Sequence, residues 1–150
     1  MEQLLEESAE KSYLRARKAL DSGNVMAALL LLESALRHQD NPQWHAMLGY
    51  CIAKERGQVA RGLELCRSAL KQYPDNAEYY YFYGKLLLMA DQKAEAVQAL
   101  RQGFACSENG SILKLLQELG TRKPSPIRWL HRNNPINKYL GILLARIGLR

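Results

Sequence analysis

Residues 77–103 read AEYYYFYGKLLLMADQKAEAVQALRQG, and this stretch decides the fold. It divides into two short helices folded back on each other. In the first, Tyr80, Tyr83, Gly84 and Leu87 share one face at i, i+3, i+4 and i+7, so the bulky rings press on a neighbour and Gly84 marks a close crossing. Asp91 interrupts the apolar pattern and is expected to cap the next helix through its carboxylate. There Ala96, Leu100 and Gly103 form a small–large–small face. One helix offers large side chains and the other offers gaps.

That face recurs up the chain at a fixed interval. Ala28, Leu32 and Ala35 are followed by Gly62, Cys66 and Ala69, and then by Ala96, Leu100 and Gly103, a step of 34 in every column. A helix–turn–helix unit repeated at about that period is the pattern of the tetratricopeptide repeat, W-x2-L-G-x2-Y…A-x3-F…P. The sequence resembles that family. The third unit supplies Tyr80, Tyr83, Gly84, Leu87, Ala96 and Leu100, with Glu108 in place of the final proline. The second has Leu48, Gly49, Ile52, Cys66, Ala69 and Pro74, with one extra residue near Gly57, and the first has Ala16, Gly23, Ala28, Leu32 and Ala35. The resemblance implies an all-α, right-handed superhelical solenoid of three helical hairpins.

Taken in order, the chain divides into a repeat domain over 1–120, a linker over 121–126 and a tail over 127–150. The repeats fall at about 7–41, 42–75 and 76–109. Asn24 is placed to cap the second helix, Asn41-Pro42 is a cap followed by a first-turn proline, and Gly57 and Tyr73-Pro74-Asp75-Asn76 mark turns. Residues 111–119 form one more short helix, because a solenoid must cover its terminal apolar face. The two prolines of TRKPSP make the linker extended.

Formal charge is +6. From residue 120 onward the basic residues Arg122, Lys123, Arg128, Arg132, Lys138, Arg146 and Arg150 meet no acidic one, so the tail carries the excess and the repeat body is near neutral. The start, MEQLLEESAEK, is too acidic for a secretory signal, and no stretch approaches the ~18 apolar residues of a membrane span. The three cysteines, Cys51, Cys66 and Cys106, fit reduced thiols in the cytosol, with Cys66 in the core.

No catalytic motif, phosphate loop or dinucleotide turn is present, and the chain is not expected to be an enzyme or to need a cofactor. His38, Asp40 and His45 lie close in sequence, but a solvated or capping role outranks a metal site, and inert burial of Cys51 outranks a nucleophile. In the run Tyr79-Tyr80-Tyr81-Phe82-Tyr83, Tyr80 and Tyr83 are assigned to the core. With Ala16, Gly49 and Gly84 at position eight of each unit, the resemblance places Tyr13, Arg17, Tyr50, Lys54, Tyr81, Lys85 and Met89 on the concave, ligand-facing surface. Such a lining suits an extended peptide carrying acidic groups or a carboxyl terminus. A solvated face of chance composition is the competing reading. The family's carboxylate-clamp subgroup carries paired asparagines on its leading helices, and none stands at position nine here.

The resemblance therefore implies a non-enzymatic adaptor that binds a peptide or helix of a partner, with a secretion-type chaperone or a peripheral membrane adaptor as alternatives. In the tail, Ile136, Tyr139, Leu140, Leu143, Leu144 and Ile147 form one apolar stripe of an amphipathic helix, with Trp129 upstream. Trp129, Tyr139, Leu140 and Leu143 are expected to bury against protein, either the terminal repeat or a second copy of the chain. Docking on an external partner and contact with an anionic membrane surface remain open as alternatives. Nucleic-acid binding ranks last.

Overall fold

The computed structural model describes residues 2–120, with side chains from residue 8 onward. Among these residues there are seven α-helices and no strand: α1 Glu2–Asp21, α2 Val25–His38, α3 His45–Arg56, α4 Val59–Gln72, α5 Ala77–Met89, α6 Lys93–Cys106 and α7 Gly110–Gly120. A 3₁₀ turn, Pro42–Trp44, leads into α3. Met1–Gln117 forms one compact unit, and Glu118–Arg150 falls in a second. The linker and the tail, with Trp129, Tyr139, Leu140 and Leu143, lie outside the described residues.

The 3₁₀ turn before α3 and the helices α5 and α7 each open on an asparagine whose side chain replaces missing intrahelical partners. Asn41 Oδ1 accepts from Gln43 N at 3.0 Å, Asn76 Oδ1 from Glu78 N and Tyr79 N at 3.0 and 3.4 Å, and Asn109 Oδ1 from Ser111 N and Ile112 N at 2.9 and 3.2 Å. Inside the hairpins the reversal is made differently. Gly23, Gly57 and Asp91, 34 residues apart, all have left-handed backbone, with φ of 82°, 69° and 60°. Two are glycines, which adopt it without a Cβ clash.

Asp91 corrects the expectation from sequence. It ends α5 rather than capping α6, whose cap position falls to Gln92 with no side-chain hydrogen bond. Left-handed backbone costs an ordinary residue about 1–2 kcal/mol, only partly offset by the extra chain entropy that glycine loses on folding. Asp91→Gly should therefore raise stability by roughly 0.5–1 kcal/mol, read as a higher urea midpoint at unchanged slope.

Helices pair as hairpins α1/α2, α3/α4 and α5/α6, and successive hairpins stack through α2 on α3, α4 on α5 and α3 on α5. The repeating small–large–small face is the packing surface: Leu32, Cys66 and Leu100 occupy equivalent sites and are each fully buried. In the middle hairpin two glycines face each other. A Cβ at Gly49 would stand 2.7 Å from Gly62 O, and one at Gly62 would stand 2.5 Å from Gly49 O. Here two helical backbones touch. At the third hairpin Gly84 instead lies under a side chain, Leu100, whose Cγ would be 2.6 Å from an added Cβ.

The aromatic run of α5 is resolved differently from the sequence reading. Tyr79 and Phe82 are buried, while Tyr80 and Tyr83 are only half-buried. α5 packs on two sides: Tyr80 meets α6, where its Cβ lies against Gly103, whereas Tyr79 and Phe82 face the preceding hairpin. Tyr79 donates its hydroxyl to Gln43 O at 2.9 Å, and Phe82 stacks on Tyr50 with ring centroids 5.6 Å apart.

Candidate ligand groove

The leading helices α1, α3 and α5 line a groove of about 470 Å³, reached also by Val25 of α2 and bordered by Asn109 and Ser111 at the start of α7. Its floor is aromatic. Tyr50 and Phe82 are buried there, and Tyr81 is half-buried beside them with its ring centroid 5.8 Å from that of Phe82. Arg17, Tyr50, Tyr81 and Lys85, assigned to the concave surface from sequence, all line it. Tyr13, Lys54 and Met89 do not. Tyr13 stacks on Trp44, centroids 4.8 Å apart and rings 10° from parallel, and accepts a hydrogen bond from Arg17. Lys54 and Met89 are exposed outside the lining.

The two groove cations differ in their surroundings. Arg17 reaches across from α1 to α5, 61 residues away in sequence, and its two terminal nitrogens donate to the Glu78 carboxylate at 2.7 and 3.2 Å. This fork-on-fork geometry is the strong form of an ion pair, although half-exposure weakens it through screening. Burial works to lower the Arg17 pKa, but the Tyr13 hydroxyl and the Glu78 charge outweigh it and keep the guanidinium firmly charged.

Among the described residues no carboxylate pairs with Lys85 in this way. Its ammonium sits 4.3 Å from the Tyr50 ring centre and 5.1 Å from that of Tyr81. Burial again opposes charge, and hydrogen bonds to Tyr50 and Tyr81 prevail, so its pKa lies above that of ordinary lysine.

Glu78 escaped the sequence assignment although a signal was present. The resemblance that gave Tyr81 and Lys85 puts positions two, five, nine, twelve and thirteen of each unit on the concave side; Glu78 is at position two of its unit, and the groove residues Leu20 and Asp21 are at positions twelve and thirteen of theirs. Asn109 and Ser111 belong to the capping helix and have no equivalent in that register.

Elsewhere, His45 Nε2 and Asp40 Oδ1 lie 2.9 Å apart, while His38 is exposed. Among the described residues no three His, Cys, Asp or Glu side chains are grouped to hold a metal, and no helix is long and apolar enough to cross a membrane. Cys51 and Cys66 are buried and Cys106 is exposed.

Burial pushes the Cys51 thiol up to about 12, helped by Glu55, and does the same to Cys66, whose Sγ contacts Ala46 O at 3.4 Å. Burial likewise pushes the Tyr79 phenol to about 12. All three hold their protons more tightly folded than unfolded. Their contribution is thus fully present below about pH 9 and lost as pH rises toward 12. Urea midpoints should fall between neutral and strongly alkaline buffer, and by less in the Cys51→Ala, Cys66→Ala double variant.

Fold and groove together define an all-α helical-repeat solenoid that presents a lined cleft on its leading helices. Two family models, both described as tetratricopeptide repeat, match residues 13–68 and 53–119, from within α1 to the end of the third hairpin and into α7. The chain belongs to the tetratricopeptide repeat family. No curated protein matches it. Repeats of this family generally mediate protein–protein interaction and typically serve as non-enzymatic scaffolds.

Proposed function

We propose that the protein is an interaction adaptor that takes a peptide or helical segment of a partner protein into the groove lined by α1, α3 and α5. The observation that carries this reading is the groove itself, whose floor of Tyr50 and Phe82 and flanking Tyr81 offer apolar area beside two cations, Arg17 and Lys85. Rings give contact area at small cost in side-chain entropy, and cations add orientation. The buried thiols of Cys51 and Cys66 are held protonated, and neither lines the cleft.

The test is site-specific photo-cross-linking of the full chain in its native cell. A benzophenone amino acid at Asp21, exposed on the groove wall, should capture a partner protein, whereas one at Arg101, exposed on α6 outside the groove, should not. Adding Tyr81→Ala to the Asp21 probe should abolish capture. Equal capture from both positions, or capture indifferent to Tyr81, would move the interaction surface elsewhere.

A further inference from the structure

We infer that the groove reads a single acidic side chain of a peptide, at Lys85, and that Glu78 keeps Arg17 from acting as a second acid-binding position. This rests on the adaptor reading above and specifies its ligand. A half-buried ammonium ordinarily has an anion beside it, because partial desolvation penalises a lone charge. Lys85 has the rings and hydroxyls of Tyr50 and Tyr81, which are neutral, and among the described residues no carboxylate pairs with it. The two rings hold the ammonium on the groove lining without neutralising it, which leaves it available to a carboxylate arriving from the cleft.

Arg17 stands in the opposite condition. Both oxygens of Glu78 are engaged by it, and Glu78 lies in the first turn of α5, where the helix dipole favours a negative side chain. A ligand carboxylate could reach Arg17 only by displacing an intramolecular partner already in place. Asp21 also lines the groove and repels a second acid. The fitting ligand is therefore an apolar segment with one carboxylate in register, rather than an acidic run. Leu20, Val25, Met47 and Phe82 supply the apolar surface for its neighbours.

The experiment uses the full chain and short acetylated, amidated peptide pools, randomised over small and aliphatic residues. One pool has a single central glutamate, a second has glutamine there, a third has several spaced glutamates, and a fourth repeats the second with a free terminal carboxylate. Binding is read by fluorescence anisotropy. The single-glutamate pool should bind about tenfold tighter than the glutamine pool, the scale of one charge-assisted hydrogen bond. Extra glutamates should add nothing.

Lys85→Met should erase the preference and Lys85→Arg should keep it, with thermal melts showing both folded. Glu78→Gln should make the multi-glutamate pool the tighter ligand, whereas Arg17→Gln with Glu78→Gln should restore the wild-type ranking. Equal binding of glutamate and glutamine pools, both lost in Tyr81→Ala, would overturn the acidic reading and leave the adaptor reading standing. Absence of binding by every pool would overturn this inference, with the photo-cross-linking left to judge the groove. Preference for the fourth pool over the first would assign Lys85 to a chain terminus and overturn the side-chain proposal.

Discussion

Gly62→Ala should lower the stability of the protein by about 3 kcal/mol, at the upper end of ordinary overpacking costs. Two effects oppose each other. Alanine is the better helix former by about 1 kcal/mol, and Gly62 lies inside α4, so with open space around it the change would stabilise. There is no open space: the new Cβ would lie 2.5 Å from Gly49 O, 2.9 Å from Leu86 Cδ2 and 3.2 Å from Ala53 Cβ. Leu86 can turn aside, but the carbonyl belongs to the backbone of α3, and moving it means separating the two helices of the middle hairpin. That hairpin touches both of the others, so the strain is not confined to an end.

Urea unfolding followed by far-UV circular dichroism should show the loss as a lower midpoint. Gly110→Ala, at a helical site with nothing within 4 Å, serves as the control and should be neutral or slightly stabilising. A Gly62 variant as stable as its parent would mean that the α3–α4 crossing is looser than the structure has it.

The same residues explain how much was legible beforehand. The 34-residue columns encode helix pairing because small residues at 28, 62 and 96 are needed wherever two helices of a hairpin meet, and that need is local. The opening asparagines are equally local, acting on amides two or three residues away. Asp91 was misread because a carboxylate near a helix start satisfies the capping rule, while the need for left-handed backbone follows only from its equivalence to Gly23 and Gly57.

Tyr79 and Phe82 were missed for a different reason. Considering one hairpin alone reveals the face of α5 toward α6, but burial against α3 depends on how one repeat is rotated on the last. The groove was half legible on that account. The repeat register brought Arg17, Tyr50, Tyr81 and Lys85 to one surface, whereas the Arg17–Glu78 pair depends on how tightly the solenoid curls, which no local pattern fixes.

Leu100→Ala should cost about 2–5 kcal/mol, since a fully buried leucine is replaced in a site whose neighbours are held by two helices. Gly84→Ala, directly opposite, should cost about 1–3 kcal/mol for the reverse reason, its Cβ meeting Leu100 Cγ at 2.6 Å and Cδ2 at 2.7 Å. The two losses should not add. Once Leu100 is shortened, the atoms that obstruct a Cβ at position 84 are gone, and the added methyl enters the cavity. The double variant should be as stable as Leu100→Ala alone, or more so, with a coupling of about 1–3 kcal/mol between the sites.

The corresponding experiment at the middle hairpin has no such rescue. Gly62 O itself obstructs a Cβ at Gly49, and a backbone carbonyl cannot be trimmed by substitution. Additive losses at 84 and 100 would show that α5 and α6 are not in contact there. Coupling of the expected sign would identify the Leu100–Gly84 contact as the one that seats the third repeat, and with it Lys85, one residue further along α5.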